Sequence, residues 1–319
     1  MYLPPRDPKA ETVDILMAVY NGADKLPAQL NSFDVQTHCH WRLLASDDGS
    51  TDKSVQVLKT FGSVHPRGQV KVIKGPQQGA SENFLRLLRH VANQDVSPSW
   101  IAFSDQDDVW LPDKISRALN TLRQYDPRRP TLYCSRTWVT CRNLSKRRMS
   151  APRPRTPHFR NALVQNIAAG NTIVLNPAAV SLVLEAVNHV GPVVVHDWWL
   201  YQLVTGTGGK VVHDDMPSLL YRQHEANQIG VSDTAYARLR RLLQLLRGEF
   251  RAWNQTNIAA LLSCGAVLRP DHLAMLESFA RLSTLPVLKR MLLLKRLGLY
   301  RQTVGGTITL WFAVLFRLV

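Results

Sequence analysis

Apolar runs and helical patterns alternate along the first part of the chain. Apolar runs begin near residues 13, 41, 70 and 100, and a segment with apolar residues at helical spacing lies between each pair. This repeat of about thirty residues is typical of βαβ units in a parallel sheet. Ligands of such sheets bind outside the carboxyl ends of the strands, so the residues after each run are the first candidates for a site.

Polar clusters follow the first, second and fourth of these runs. They are Tyr20-Asn21, Asp47-Asp48 and Asp105-Gln106-Asp107-Asp108. Carboxylate oxygens are the hard ligands that Mg²⁺ or Mn²⁺ prefers, and Mg²⁺ held by one or two carboxylates commonly also binds substrate phosphates. The pattern therefore predicts a polar, metal-competent site at one edge of the sheet. The alternative for the last cluster is an acidic turn that caps the next helix, because Pro112 and Asp113 suit a helix start.

Another carboxylate follows an apolar run in the second half of the chain. Asp197 comes after three valines and His196, and it is followed by Trp198 and Trp199. Aromatic rings beside a carboxylate suit sugar recognition, and partial desolvation would raise the pKa of the carboxyl towards that of a general base. The alternative is a helix N-cap aspartate with two core tryptophans.

The charge balance indicates an anionic partner. Lys and Arg number 39 against 24 Asp and Glu, which gives a net charge of +15 and a pI near 10.0. Nucleic acid, an anionic membrane face and a phosphorylated substrate all fit this excess. The cations lie in a proline-containing segment, residues 142–160, and in Leu-rich helices rather than in a recognition motif. We therefore expect no nucleic acid partner, and a basic nucleic-acid-binding protein is the more remote alternative.

Several other features narrow the class of protein. The sequence has no Gly-x-x-x-x-Gly-Lys-Ser/Thr loop and no Gly-x-Gly-x-x-Gly after the first run, which argues against the usual NTPase and dinucleotide folds. Four cysteines without a Cys-x-x-Cys pair fit reduced thiols in the cytoplasm. Residues 1–11 lack the apolar core of a signal peptide. For residues 142–160 we expect a flap over a diphosphate or an anionic headgroup, or else a solvated surface loop.

The last part of the chain has a different composition. Cations are interspersed among apolar residues from 285 to 301, and the 15 residues 302–316 carry no charge. A helix of that length measures about 22 Å, which is shorter than a bilayer core of about 30 Å. We therefore predict a helix that lies in the plane of a membrane interface, with cations that snorkel to the headgroups. The alternatives are a helical hairpin packed on the preceding part of the chain and a contact in a homo-oligomer.

Three motifs in order resemble glycosyltransferase family 2, of the GT-A fold. They are Ala18-Val19-Tyr20-Asn21-Gly22, Ser46-Asp47-Asp48-Gly49-Ser50-Thr51-Asp52 and Phe103-Ser104-Asp105-Gln106-Asp107-Asp108-Val109-Trp110. The third is similar to the form found in bacterial rhamnosyltransferases of surface-polysaccharide (O-antigen, lipopolysaccharide) biosynthesis. The resemblance covers roughly residues 12–230. Tyr221 to Asn227 is similar to the family's closing motif, from which Glu225 and Ala226 depart.

The resemblance implies an α/β fold of the GT-A type, with a Rossmann-like, mostly parallel central sheet flanked by helices. We divide the chain into a tail (1–11), a catalytic domain (12–230, with a nucleotide half 12–115 and an acceptor half 116–230) and a C-terminal helical, membrane-interface region (231–319).

The implied activity is an inverting hexosyl transfer that depends on Mg²⁺ or Mn²⁺. L-rhamnose would move from dTDP-L-rhamnose to a polyprenyl-diphosphate-linked saccharide. The enzyme would be cytoplasmic and peripherally bound to the inner face of the bacterial membrane. The nearest alternative donors are UDP-glucose, UDP-galactose, UDP-N-acetylglucosamine and UDP-galactofuranose.

The resemblance also implies roles for residues. Asp197 would be the catalytic base, and Asp105, Asp107 and His224 the metal ligands. The nucleotide sugar would contact Ala18, Val19, Tyr20, Asn21, Asp47, Asp48, Ser81, Asn83, Asp105, Gln106 and Arg222. We expect acceptor contacts from Trp110, His196, Trp198 and Trp199. For Ser81 and Asn83 the alternative is a helix cap and a polar surface residue, and for His224 a plain surface histidine.

Overall fold

A computed structural model describes residues 11–94, 97–223, 248–264 and 267–319. The strands are β1 (Val13–Val19), β2 (Trp41–Asp47), β3 (Val70–Lys74), β4 (Trp100–Ser104), β5 (Val109–Trp110), β6 (Thr131–Ser135), β7 (Trp138–Thr140), β8 (Arg148–Met149), β9 (Val174–Leu175), β10 (Lys210–Asp214) and β11 (Leu219–Arg222). The four strands predicted near residues 13, 41, 70 and 100 are thus confirmed.

Helices lie between the strands and after them. They are α1 (Leu26–Asp34), α2 (Ser54–Ser63), α3 (Ala80–Ala92), α4 (Lys114–Leu122), α5 (Phe159–Ala162), α6 (Pro177–Ala186), α7 (His196–Gly206), α8 (Glu249–Ser263), α9 (Pro270–Ala280), α10 (Val287–Leu297) and α11 (Val304–Leu315). Short 3₁₀ turns cover Gly170–Thr172 and Leu282–Thr284.

The larger sheet has the strand order β10-β6-β9-β4-β1-β2-β3. Its neighbours run parallel, except that β9 is antiparallel to both β4 and β6. Strand β1 is buried on both faces, as in other mainly parallel sheets. Its Ile15 and Met17 pack in the layer of α1, α2 and α4, whereas Leu16 packs in the layer of α3, α6 and α7.

The chain reverses its direction of travel across the sheet between β3 and β4. Strands β2 and β3 extend from one side of β1, and β4 pairs with its other side. A crevice opens at such a switch point, outside the carboxyl ends of the strands. Val19 is in register with Asp47, and Met17 with Ser104. The three polar clusters predicted to share one edge therefore do so.

The C-terminal helices pack against the catalytic domain. Leu276, Leu294, Leu310 and Val314 belong to the same buried cluster as Trp199. Within the described ranges, the search for a helix with the length and apolar character needed to cross a bilayer finds none. The hairpin alternative is therefore correct for one face of α10 and α11, and their contact with a membrane stays a prediction.

Candidate active site

The loop after β1 is held by the loop after β4. The side-chain amide of Gln106 accepts a hydrogen bond from Tyr20 N and donates one to Tyr20 O, both at 2.8 Å. A Cβ added to Gly22 would collide with the Gln106 amide, so this close approach requires glycine. The ring of Tyr20 is 56% exposed at the mouth of the crevice. Gln106 thus positions the loop, and the Tyr20 ring is left free for a ligand.

The loop after β2 fixes the other side of the same segment. Asn21 has a left-handed backbone, with φ of 45°. Its Oδ1 accepts from Thr51 N at 2.8 Å, and its own N–H donates to Ser50 Oγ at 2.9 Å. Asp52 Oδ2 accepts from Ala23 N at 3.0 Å. The polar residues of the second motif therefore mainly shape the first loop.

The two adjacent aspartates of that motif have different surroundings. Both carboxylate oxygens of Asp48 already accept backbone hydrogen bonds, from Gln77 N at 2.7 Å and Gly79 N at 2.8 Å. Asp47 Oδ2 accepts from Ser50 N at 3.1 Å, whereas its buried Oδ1 has no hydrogen-bond partner among the described residues. Buried polar atoms are usually paired, so an orphaned oxygen calls for a ligand, ion or water. Asp47 is therefore the better candidate for a ligand contact, whereas Asp48 positions the following loop.

Four further predicted residues support the crevice. Asn83 is buried and donates to Ser46 O at 2.8 Å, so the surface alternative for it is wrong. Ser81 Oγ donates to Val194 O at 3.2 Å, and α3 has no side-chain cap. Val19 O accepts from Asp48 N at 2.8 Å. Ala18 is partly buried against the core.

The carboxylates of the acidic turn after β4 have different surroundings, and that of Asp108 has a structural role. Asp108 is fully buried, and it accepts from Asn171 Nδ2 at 2.6 Å and from Arg222 N at 3.3 Å. Lys114, also buried, donates to Asn171 O at 2.9 Å and lies 4.4 Å from the centroid of the Trp110 ring. Helix α4 begins directly after this turn, with Asp113 at the N-cap position as the alternative expected, but α4 has no side-chain capping hydrogen bond, so the capping role of the acidic turn is wrong. Asp108 joins the turn to the opposite wall of the crevice.

Asp105 lies in an acidic environment. Burial and the carboxylates of Asp107 and Asp197 together raise its pKa to about 7, against the opposing effect of the ammonium group of Lys114. We call Asp105, Asp107 and Asp197 the acidic crevice. These like charges favour a cation, and their oxygens are the donors that Mg²⁺ or Mn²⁺ prefers.

A complete protein cage for a metal is not seen. Among the described residues, no group of three or more His, Cys, Asp or Glu side chains is arranged to hold a metal ion. Mg²⁺ commonly takes one or two carboxylates and completes its shell with water and substrate phosphates, so Asp105 and Asp107 are a sufficient protein contribution. The predicted third ligand, His224, lies outside the described residues.

Asp197 lies in the first turn of α7, and Val195 is the N-cap. Its Oδ2 accepts from Gly170 N at 2.9 Å, and its Oδ1 accepts from Trp198 N at 2.7 Å. Burial raises its pKa to about 6, against the opposing effect of hydrogen bonds from Gly170, Trp198 and the Asn166 side chain. A carboxyl with a pKa near neutrality is well matched to take up a proton at physiological pH.

The four residues expected to contact the acceptor lie in the core instead. The His196 ring stacks on Phe84, with centroids 3.8 Å apart, and burial lowers its pKa to about 3, so it is neutral. Trp198 Nε1 donates to Ala162 O at 2.7 Å. Trp110 and Trp199 are both at most 1% exposed. The predicted sugar platform is therefore wrong for Trp110 and Trp199, since neither ring has a free face.

The predicted nucleotide-sugar contact Arg222 has partners within the protein. Its Nε donates to Asp107 O at 2.9 Å, and its Nη1 donates to Arg142 O. The guanidinium therefore holds the acidic turn after β4 and the start of the basic, proline-containing segment, residues 142–160. Sequence reasoning missed Asn166, Gly170 and Lys114, because nothing in their spacing relates them to Asp105 or Asp197.

Comparison with known proteins agrees with this geometry. A sequence model described as "Glycosyl transferase family 2" matches residues 14–174. The dTDP-rhamnosyl transferase RfbG of Shigella flexneri is 28% identical over 253 residues, which are 77% of this chain and 84% of that protein. The UDP-Glc:alpha-D-GlcNAc-diphosphoundecaprenol beta-1,3-glucosyltransferase WfgD of Escherichia coli is 26% identical over 110 residues, which are 34% of this chain and 40% of that protein.

A solved structure supports the fold. Residues 1–349 of S. aureus TarS, crystallised with UDP-GlcNAc, superpose with a TM-score of 0.55 at 12% identity, over 95% of this chain and 84% of that one. The family match includes all three motifs and half of the chain. The chain therefore belongs to glycosyl transferase family 2, and it is a glycosyltransferase of the GT-A fold.

Proposed function

We propose that the protein is an inverting, metal-dependent rhamnosyltransferase. It moves L-rhamnose from dTDP-L-rhamnose to a polyprenyl-diphosphate-linked saccharide during surface-polysaccharide assembly. The observation that carries the proposal is the acidic crevice, in which a partly buried base candidate, Asp197, raises the pKa of Asp105 at the end of β4. A cation site and a base so close together suit displacement at a sugar carbon next to a diphosphate.

Two groups in the nucleotide half of the crevice would contact the donor. The exposed Tyr20 ring offers a face for the base, and the unpaired Asp47 Oδ1 offers an acceptor for an N–H or hydroxyl of the nucleoside. The named dTDP-rhamnosyl transferase relative supports dTDP-L-rhamnose as the donor. The glucosyltransferase relative supports the second candidate, a UDP-sugar.

Asp105 and Asp107 would hold Mg²⁺ or Mn²⁺ beside the diphosphate. When bound, the ion supplies positive charge that stabilises the leaving group. The two carboxylates then have a counter-ion, which relieves the repulsion that raises the pKa of Asp105.

Asp197 would act as the general base. Its carboxylate takes the proton of the acceptor hydroxyl while that oxygen attacks the anomeric carbon from the side opposite the diphosphate. The bond from the anomeric carbon to the diphosphate oxygen breaks, and the electron pair leaves with the nucleotide. Gly170 N–H and Asn166 hold the carboxylate in place. One displacement inverts the anomeric centre and needs no covalent enzyme intermediate.

A panel of nucleotide sugars tests the donor assignment. Thermal unfolding is measured with dTDP-rhamnose, UDP-glucose, UDP-galactose, UDP-N-acetylglucosamine and UDP-galactofuranose, each with and without Mg²⁺ or Mn²⁺. We expect the largest rise in Tm with dTDP-rhamnose plus metal, because a ligand stabilises only the state that it binds. A rise with a UDP-sugar and none with dTDP-rhamnose would replace the rhamnosyl assignment with the second candidate.

A further inference from the structure

Helices α10 and α11 form a hairpin that is fixed by one buried cation. Arg290 on α10 is 1% exposed. Its Nη1 donates to Val314 O at 2.9 Å and to Leu315 O at 3.2 Å, and its Nη2 donates to Leu285 O at 2.7 Å. The guanidinium thus satisfies the last carbonyls of α11 and ties them to the start of α10. The outward face of the hairpin is therefore set by specific bonds.

That outward face is apolar. Leu288, Leu292, Ile308, Phe312 and Phe316, which we call the docking face, are each between 52% and 74% exposed. Ile308 and Phe312 lie one turn apart on the same side of α11, and Phe316 follows at the same spacing as the C-cap residue. The opposite side of α11, with Leu310, Ala313 and Val314, is buried in the core. A helix that is apolar on both sides requires a second apolar environment.

A groove runs along the docking face. It encloses about 550 Å³, and its lining includes Met291, Ile308, Trp311, Leu315 and one cation, Arg155. The Arg155 guanidinium lies 3.9 Å from the centroid of the Tyr300 ring and donates to Arg301 O at 3.1 Å. The basic proline segment therefore reaches the hairpin, and it places a positive charge at the rim of an apolar groove.

The charge of this region has one sign. No Asp or Glu occurs after Glu277, whereas the cations that follow are Arg281, Lys289, Arg290, Lys295, Arg296, Arg301 and Arg317. Lys289, Lys295, Arg296 and Arg317 are exposed. Apolar side chains bordered by cations complement the boundary between acyl chains and anionic headgroups. Helix α11 has 12 residues, about 18 Å at 1.5 Å per residue, so it fits in the plane of that boundary.

We propose that the docking face and its bordering cations bind the interface of an anionic phospholipid bilayer, with α11 lying in the membrane plane. This inference deepens the proposed function, on which it rests for its purpose, since a lipid-linked acceptor is met at that surface. Hydrogen bonds connect the start of α11 with the segment that holds the base candidate Asp197. Gln302, just before α11, donates to Gln165 Oε1 at 2.8 Å, and the next residue, Asn166, holds Asp197.

Vesicle flotation tests the apolar part of the surface. Vesicles of phosphatidylcholine with about one-third phosphatidylglycerol are compared with pure phosphatidylcholine. The double variant Ile308→Ser, Phe312→Ser should bind the anionic vesicles at least about tenfold more weakly, because each lost side chain removes a large apolar area from the interface. The matched control is Val64→Ser with Met216→Ser, two exposed hydrophobic residues outside the hairpin, which should bind like wild type.

Charge reversal tests the electrostatic part. Lys289→Glu with Lys295→Glu should lower binding to anionic vesicles about tenfold or more, and binding by wild type should fall with added salt. The control is Lys59→Glu, on the exposed side of α2. Each of these substitutions changes the net charge by the same amount, but Lys59→Glu should lower binding to anionic vesicles much less. If the hairpin variant and the Lys59→Glu control bound anionic vesicles equally well, the proposal would be overturned.

Trp311 reports the depth of contact. Brominated acyl chains should quench tryptophan fluorescence of wild type, and Trp311→Phe should lose most of that quenching. The proposal would be overturned if the wild-type protein bound neither vesicle type. It would also be overturned if sedimentation analysis showed a dimer that covers the docking face. Retained stabilisation by a nucleotide sugar in that case would leave the proposed function intact. Vesicle binding without such stabilisation would count against the proposed function alone.

Discussion

The three carboxylates of the acidic crevice and the buried ammonium group of Lys114 set the chemistry of the site at the scale of single residues. Burial and mutual repulsion raise the pKa of Asp105 to about 7, and burial lowers that of Lys114 to about 7. Such an arrangement costs folding free energy when the carboxylates are charged and no cation is bound. The same cost would favour binding of a divalent cation, which in turn would offset the negative charge of a diphosphate.

Asp105→Asn should stabilise the metal-free protein. A folded-state pKa above the unfolded value means that Asp105 favours folding at low pH, and that this contribution is lost as the pH rises from about 4 to about 7. At pH 8 the variant should gain about 1–3 kcal/mol in the free energy of unfolding. It should also lose metal-dependent stabilisation by the donor. The control Asp126→Asn, at an exposed loop, should give no gain; an unchanged or lower stability for Asp105→Asn would contradict the electrostatic interpretation.

The pH dependence of kcat should report Asp197. The base must be ionised, so activity should fall about tenfold per pH unit below a pKa near 6. Asn166→Ala removes a hydrogen bond that favours the charged carboxylate, so the acidic limb should move to higher pH, with most of the rate recovered at pH 8. An acidic limb that does not move would assign Asn166 a purely structural role.

At the scale of secondary-structure elements, the loop after β1 depends on its contact with the loop after β4. Gly22→Ala would push the added Cβ into the Gln106 amide and break both hydrogen bonds to the Tyr20 backbone. We expect KM for the donor to rise about tenfold, the equivalent of about 1.4 kcal/mol, with a smaller effect on kcat. Gly191→Ala is the matched control, since its added Cβ meets no atom within 4 Å. A donor KM that is equal in the two variants would exclude this role for Gln106.

The hairpin of α10 and α11 depends on Arg290. Arg290→Met should destabilise the protein by about 2–4 kcal/mol, because Val314 O and Leu315 O lose their buried donor. Lys289→Met, the exposed neighbour, should change the free energy of unfolding by less than about 0.5 kcal/mol. Chemical denaturation with both variants measures the difference, and similar midpoints would show that the bridge is not needed.

The strands themselves were predictable from the sequence, whereas the way in which they pair was not. Strands β1, β2, β3 and β4 have five to seven residues each, so their apolar runs are distinct. Strand β9 has two residues and pairs antiparallel with both neighbours. An apolar run does not show the direction in which its strand pairs, and Asn171, which donates to Asp108, lies in the turn just before β9. The sequence therefore indicated the carboxylates, but not the residues that orient them.

At the scale of the whole molecule, aromatic residues were the main source of error. Trp110 and Trp199 follow acidic motifs in the sequence, but both fill the core between sheet and helices. Composition cannot distinguish a buried tryptophan from one that lines a pocket, because both environments favour large apolar rings. Part of the net charge of +15, in contrast, lies in two identified regions, the hairpin of α10 and α11 and the segment that carries Arg155.

The whole molecule thus joins the proposed nucleotide crevice to an apolar, basic surface through residues 161–166. Asn161 Nδ2 donates to Tyr300 O at 2.9 Å, and Gln165 accepts from Gln302. At the other end of this segment, Asn166 holds Asp197. A change at the docking face should therefore lower transfer to a lipid-linked acceptor while it leaves donor binding unchanged. Comparing transfer to vesicle-borne and detergent-solubilised acceptors measures this, and equal losses with both would argue against it.

The configuration of the sugar first released from dTDP-rhamnose tests the central claim most directly, because water can replace the acceptor. Proton NMR follows donor hydrolysis by wild type and by Asp197→Asn, with Mg²⁺ and after chelation. We predict that rhamnose is released with the anomeric configuration opposite to that of the donor and that chelation abolishes this hydrolysis. In Asp197→Asn the hydrolysis should be about 10²–10⁴-fold slower, while dTDP-rhamnose still stabilises the variant against thermal unfolding. Release with retained configuration, or a full rate in Asp197→Asn, would contradict direct displacement with Asp197 as the base.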